Sequence, residues 1–283
     1  MSSALRDQVG AFRAKAAAHG FSADEVQRWA ELARPVLRLT LHGGGPVVGR
    51  FGGPLLLPAD VPDPGHPYVA TLDLTALSAE DAGLPLPSDG HLLLFAFPEH
   101  DSWYADVGSA VFVPAGAAVV ERDRDFSWHS SEDDYRELLD QYPQGELHAT
   151  ADVSLPHFCD ESFSHDLWKP EWPPYEPELV ELFRTARAGT GDRGTLQVGG
   201  YASEEVVDVH DPITSVIAQA RRALQKGKVT GPVSEDAADW VLLADWHTDI
   251  DGWEGATVHW AVQRDDLVAR RFDRVFTTRY WNP

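Results

Sequence analysis

The chain has 283 residues, 43% of them hydrophobic and 24% charged, enough to bury one large core or two small ones. No apolar run approaches the ~18 residues that cross a bilayer, and a net charge of −22 opposes binding to nucleic-acid phosphates or anionic membranes. Cys159 is the single cysteine, which excludes an internal disulfide and fits a reducing compartment.

The first residues, "MSSALRDQVGAFRAKAAAHG", lack the apolar stretch and cleavage site of a secretory leader, so a cytoplasmic location is expected. The basic residues are nearly all arginine, which with the many alanines suggests a high-G+C bacterial genome. Leu5, Val9, Phe12 and Ala16 recur at helical spacing, and Gly20 ends that helix. Ser22 and Glu25 form a capping box before "VQRWAELAR", which Pro35 closes. Residues 1–35 are thus expected to be a helical pair packed on the core.

From Val36 the pattern turns to β. "VLRLTLH", "GGGP" and "VVGRF" read as a hairpin whose glycines supply positive φ. "PYVATLDL" and "HLLLFAF" are further strands, and "SAVFVP" and "AAVVE" read as another pair. Residues 122–178 are acidic, rich in Trp, His and Pro, and are expected to form an ordered insertion over the sheet. Then follow helices in "PELVELFRTARAG" and "DPITSVIAQARRALQKG", strands in "DWVLLADW" and "GATVHWAV", a short helix in "RDDLVARRFDRV", and an extended tail.

Chemistry concentrates in "ADWHTDIDGWEGATVHW", residues 244–260. Asp249, Asp251 and Gly252 fit a calcium loop, but His247 and Val258 occupy its first and last positions, which need oxygen ligands. Zinc would require His247, His259 and a carboxylate to converge, without HExxH or paired CxxC. The simpler reading is a polar hairpin loop whose aspartates bond their own backbone. "GTGDRG" follows a helix and precedes a strand, the wrong context for a dinucleotide fingerprint. "HGGGP" comes without GxSxG, which disfavours a serine hydrolase. Cys159 sits among Asp160, Glu161 and Asp166, an acidic setting that disfavours a thiolate nucleophile. Ten tryptophans suit either recognition of cationic groups or the filling of a large β core.

"FGGPLLLP", "ATLDL", "LPSDGHLLLFAF", "LQVGGY", "DWVLLADWHTD" and "RDDLVARRFDRV" occur in an order that resembles the YwqG-like proteins, a bacterial family with a domain of unknown function. The resemblance spans residues 50–280. It implies a single domain over residues 36–283, α+β and mainly antiparallel β with peripheral helices. It implies no established catalytic residues, and similar proteins are associated with immunity or partner binding beside toxin genes. The family carries glutamine where Thr71 and Ala244 stand, and Gly-Asp where "GWEG" (residues 252–255) stands, which lowers the expectation of an enzyme. The order "GGP", "LDL", "DGHLLLFAF" is echoed by "GGY", "LLADW", "EGATVHWAV", which suggests a diverged internal duplication.

The expected function is a non-catalytic module that binds a basic protein partner, of immunity or partner-neutralising type, without cofactor, metal, nucleic acid or membrane. Its expected site comprises Trp246, His247, Asp249, Asp251, Trp253, Glu254 and His259, with the glycine turns Gly52–Gly53 and Gly199–Gly200. The alternative is an enzyme acting on a small or cationic substrate in a cleft lined by hairpin 245–259.

Overall fold

The computed structural model describes residues 3–98, 107–122, 139–155, 173–174, 176–186, 196–202, 212–253 and 255–280. Trp128, Cys159, Trp168, Trp172, the "GTGDRG" run and Glu254 lie outside them.

The chain opens with α1 (Ser3–Ala18) and α2 (Ala23–Leu32). Leu5, Val9, Phe12 and Ala16 are buried as their spacing predicts. The Ser22 hydroxyl accepts from the Glu25 backbone N–H, and the Glu25 carboxylate accepts from the Ser22 N–H. Pro35 does not cap α2 directly; it lies inside β1 (Arg34–Thr40), near the start of the strand, and holds Arg34 extended.

The other strands are β2 (Val47–Phe51), β3 (Leu55–Pro58), β4 (Tyr68–Asp73), β5 (His91–Ala96), β6 (Gly108–Val113), β7 (Val119–Arg122), β8 (Gly145–Ser154), β9 (Leu196–Gly199), β10 (Trp240–His247), β11 (Thr257–Gln263) and β12 (Phe276–Tyr280). The other described α-helices are α3 (Ala79–Ala82), α4 (Pro177–Ala186), α5 (Pro212–Gln225) and α6 (Arg264–Val268). Ten strands form one antiparallel sheet in the order β12-β11-β10-β9-β1-β8-β2-β4-β5-β6, while β3 and β7 pair separately. The protein is therefore mainly antiparallel β with peripheral helices.

Three local readings change. β1 and β2 are not a hairpin, because β8 lies between them. Their "GGG" link crosses β8 instead of turning: a Cβ on Gly45 would sit 1.8 Å from the Ala149 carbonyl oxygen, and Ala149 N–H donates to Pro46 O at 2.9 Å. β6 and β7 also part, to β5 and β3 respectively. Residues 145–154, expected to be part of an ordered insertion over the sheet, form the longest of the described strands, at the centre of the sheet.

The sheet curls until its outer strands meet, giving a nearly closed barrel. Across this seam Trp260 Nε1 donates to Phe95 O (3.2 Å) and Ser109 O (3.0 Å), and Arg279 Nη1 donates to Pro98 O. The interior is the main core, with Leu39, Phe51, Leu72, Leu92, Leu147, Trp246, Val258 and Trp260 among its residues. Three smaller clusters lie outside it. α1, α2 and α4 pack around Val153; Leu55 and Leu57 of β3 cover Leu93, Phe95 and Val113; α5 covers Trp240, Ala261 and Phe276.

Candidate functional site

Hairpin β10–β11 pairs Asp245 with His259, Trp246 with Val258 and His247 with Thr257. Successive strand residues face opposite ways, so Trp246 and Asp245 part company. Trp246 points into the barrel, fully buried, with its ring edge-on to Tyr142 (centroids 5.3 Å apart) and tilted against Phe51 (6.4 Å). It fills the core and offers nothing to a partner. Trp29, Trp240 and Trp260 are buried as well.

The loop between the two strands is tied shut. Thr248 N–H donates to Ala256 O at 2.8 Å, Thr248 Oγ1 donates to Trp253 O at 3.1 Å, and Ile250 is buried in the core. Asp249 and Asp251 stay exposed, and the Asp251 N–H donates to Gln141 Oε1 at 2.7 Å. Trp253 is half-buried, with the Arg279 guanidinium 5.0 Å from its ring centroid, so an internal cation already occupies one place by that ring. His247 is half-buried, its Nδ1 3.2 Å from Thr257 Oγ1. Gly52 and Gly53 form a left-handed turn in which Gly53 N–H donates to Gln144 Oε1 at 3.2 Å. Residues 141–144 thus touch both that turn and the hairpin tip.

His259 belongs to a different place. Arg38, Gln197, Asp245, His259 and Thr278 are register partners on β1, β9, β10, β11 and β12, so they form one row across five strands. Directly opposed residues share a face, here the outer one that α5 packs against. Yet the row is buried: Arg38 is 8% exposed, Gln197 2%, Asp245 1% and His259 0%. Burial of charge demands pairing. Arg38 Nε donates to Asp152 Oδ2 at 2.7 Å and its Nη1 to Gln197 Oε1 at 3.3 Å. His259 Nδ1 lies 3.5 Å from Asp245 Oδ1. Gln197 Nε2 donates to Gly199 O (3.3 Å) and Tyr201 O (2.6 Å), which joins the second glycine turn to the row.

Gly199 is required sterically, since its φ is +76° and a Cβ would meet the Ala82 carbonyl oxygen at 2.1 Å. Beyond the turn, Tyr201 Oη donates to Leu32 O at 3.0 Å, and Arg34 stacks 3.9 Å over its ring. Burial raises the Tyr201 phenol above its ordinary pKa, and the Arg34 charge partly offsets this.

The expected site therefore divides. Asp249, Asp251 and Trp253 sit at the hairpin tip beside residues 141–144, near the Gly52–Gly53 turn; His259, Gly199 and Gly200 go with the buried row; Trp246 goes to the core. Arg38, Asp152 and Gln197 were missed, and Asp245 stood only at the edge of the alternative's hairpin 245–259. For Arg38, Gln197 and Asp245 the signal was a single polar residue interrupting an apolar stretch, as in "VLRLT", "LQVGG" and "LLADW"; Asp152, in the alternating "HATADVS", carried none. Among the described residues no three His, Cys, Asp or Glu side chains converge as a metal site.

The corresponding row on the other side of the sheet runs Glu146, Arg50, Thr71, Leu93 and Val111. It turns apolar where β3 covers it. Over residues 49–280 the chain matches the family described as a domain of unknown function (DUF1963), and it belongs to that family. No curated protein matches it.

Proposed function

We propose that this DUF1963 member is a non-catalytic binding protein of YwqG-like type, bacterial and cytoplasmic, that captures a basic protein partner in the manner of an immunity protein. One observation carries the reading. The acid–base pair of the hairpin, Asp245 and His259, is sealed at 1% and 0% exposure, whereas Asp249 and Asp251 are exposed beside half-buried Trp253 on a chain of net charge −22. Exposed charge speeds encounter, and a desolvated aromatic slows departure. The strand order, which reads outward alike from both sides of the β1–β8 pair, supports the further reading of a diverged internal duplication.

The test is surface-based kinetics with a basic partner obtained from the host, at about 0.1 M and about 1 M salt, where screening lengths are about 10 Å and 3 Å. Asp249→Asn with Asp251→Asn and Glu254→Gln lowers the on-rate; Trp253→Ala raises the off-rate. Salt-independent binding that ignores all four changes refutes this assignment of the tip. A second reading, an enzyme acting on a small or cationic substrate beside residues 245–259, draws support from the Asp245–His259 contact. It requires turnover that Asp245→Asn and His259→Gln abolish without unfolding the chain.

A further inference from the structure

Every ladder at the centre of the sheet joins the first half of the chain (residues 34–122) to the second (139–280). β1 pairs with β8 and β9, both from the second half; β8 pairs with β1 and β2, both from the first. Among the described residues, neither β1 nor β8 pairs with any other strand of its own half. The remaining sheet strands of each half pair among themselves, as β2-β4-β5-β6 and β9-β10-β11-β12. Each half also holds a cluster of its own: Leu55, Leu57, Tyr68, Leu93, Phe95 and Val113 in one, Val216, Ala220, Trp240, Ala261 and Phe276 in the other. The largest cluster is common to both.

A half by itself would present an open strand edge at β2 or β9, an unpaired β1 or β8, and one wall of a core. Each of these defects is repaired by the other half. We infer that the two halves are complementary modules that have exchanged their first strands, and that the partner this surface fits is the complementary half of a second copy of this chain. Within one molecule the covalent link gives the halves a high effective concentration, so they meet each other first. Release of that link leaves the surface unchanged and lets another copy supply the missing half, as in domain swapping. This inference is independent of the binding reading of the hairpin tip.

The experiment inserts a protease recognition sequence between Arg122 and Leu139 in two preparations of the full chain. One carries an affinity tag at its N-terminus; the other is isotopically labelled. Both are cut, unfolded in urea, mixed in equal amounts, refolded and recovered by the tag. The expected result is tagged first halves carrying labelled and unlabelled second halves in about equal amounts, at the mass of one intact chain and with native circular dichroism. Halves that separate on cutting, or that refold without pairing while the uncut insertion variant refolds normally, overturn the inference. If the insertion itself prevents folding, native-state hydrogen exchange on the unaltered chain decides. Amides of β4 and β10 then open with the same free energy as those of β1 and β8, whereas a half that keeps protection after the other has opened refutes the obligate pairing.

Discussion

Substitution of Gly199 by alanine isolates the contribution of one close approach to the polar row. Alanine at φ +76° enters the left-handed region, which costs about 1–2 kcal/mol. Its Cβ would also lie 2.1 Å from the Ala82 carbonyl oxygen, so α3 or β9 must retreat by about an ångström in a close-packed interior. Overpacking of this kind costs about 1–3 kcal/mol more. Gly252 supplies the control, with φ +81° and nothing within 4 Å of the added carbon, so it bears only the conformational part. Gly199→Ala should therefore destabilise by about 2–5 kcal/mol and Gly252→Ala by about 1–2 kcal/mol. Urea denaturation followed by circular dichroism measures both. A total stability of about 5–15 kcal/mol makes the difference visible as a shift in midpoint at unchanged slope. Equal losses at the two positions would refute the claim that the turn is pressed against α3, and with it the steric reason for the second glycine pair.

Trp260→Phe keeps a ring in the core but removes the seam donor to Phe95 O and Ser109 O; calorimetry should show a loss of about 1–3 kcal/mol. Tyr201, whose phenol is held protonated above its ordinary range, contributes stability that is full below the unfolded value of about 10 and is lost as pH rises through the higher folded value. Tyr201→Phe should flatten the fall in melting temperature above pH 10. Glu25 titrates below the usual carboxylate range because the Ser22 hydroxyl and N–H donate to it, so Ser22→Ala should move its NMR titration upward.

Hairpin β10–β11 was legible in the sequence because its two strands are adjacent and its turn carries Asp-Gly. The β1 and β2 segments were equally legible as strands, but not their neighbours. A three-glycine link looks the same whether it turns back or crosses another strand, and only β8, far along the chain, decides between them. β8 itself was hidden because "GELHATADVS" alternates Leu147, Ala149 and Ala151 with His148, Thr150 and Asp152 inside a stretch whose acidity dominated its reading. The polar row was legible only one residue at a time: Arg38, Gln197 and Asp245 each interrupt an apolar stretch, but with His259 they become a row only through the register of four strands. The tryptophans could be counted but not placed, since packing and recognition call for the same residue type.

The closed seam bears on how this protein behaves at high concentration. The outer strands of an open sheet present unpaired N–H and C=O groups that template growth by addition of further chains. Here β6 and β12 shield each other, and indole and guanidinium donors occupy carbonyls along the seam. The separate β3–β7 pair is four residues long on each side, with Pro58 lacking a donor and Glu121 and Arg122 bringing charge. A chain with twelve described strands thus offers little purchase for cross-β stacking while it stays folded. The hazard lies in partial opening at the seam, and the mutual repulsion of a −22 surface opposes aggregation there until acid removes it.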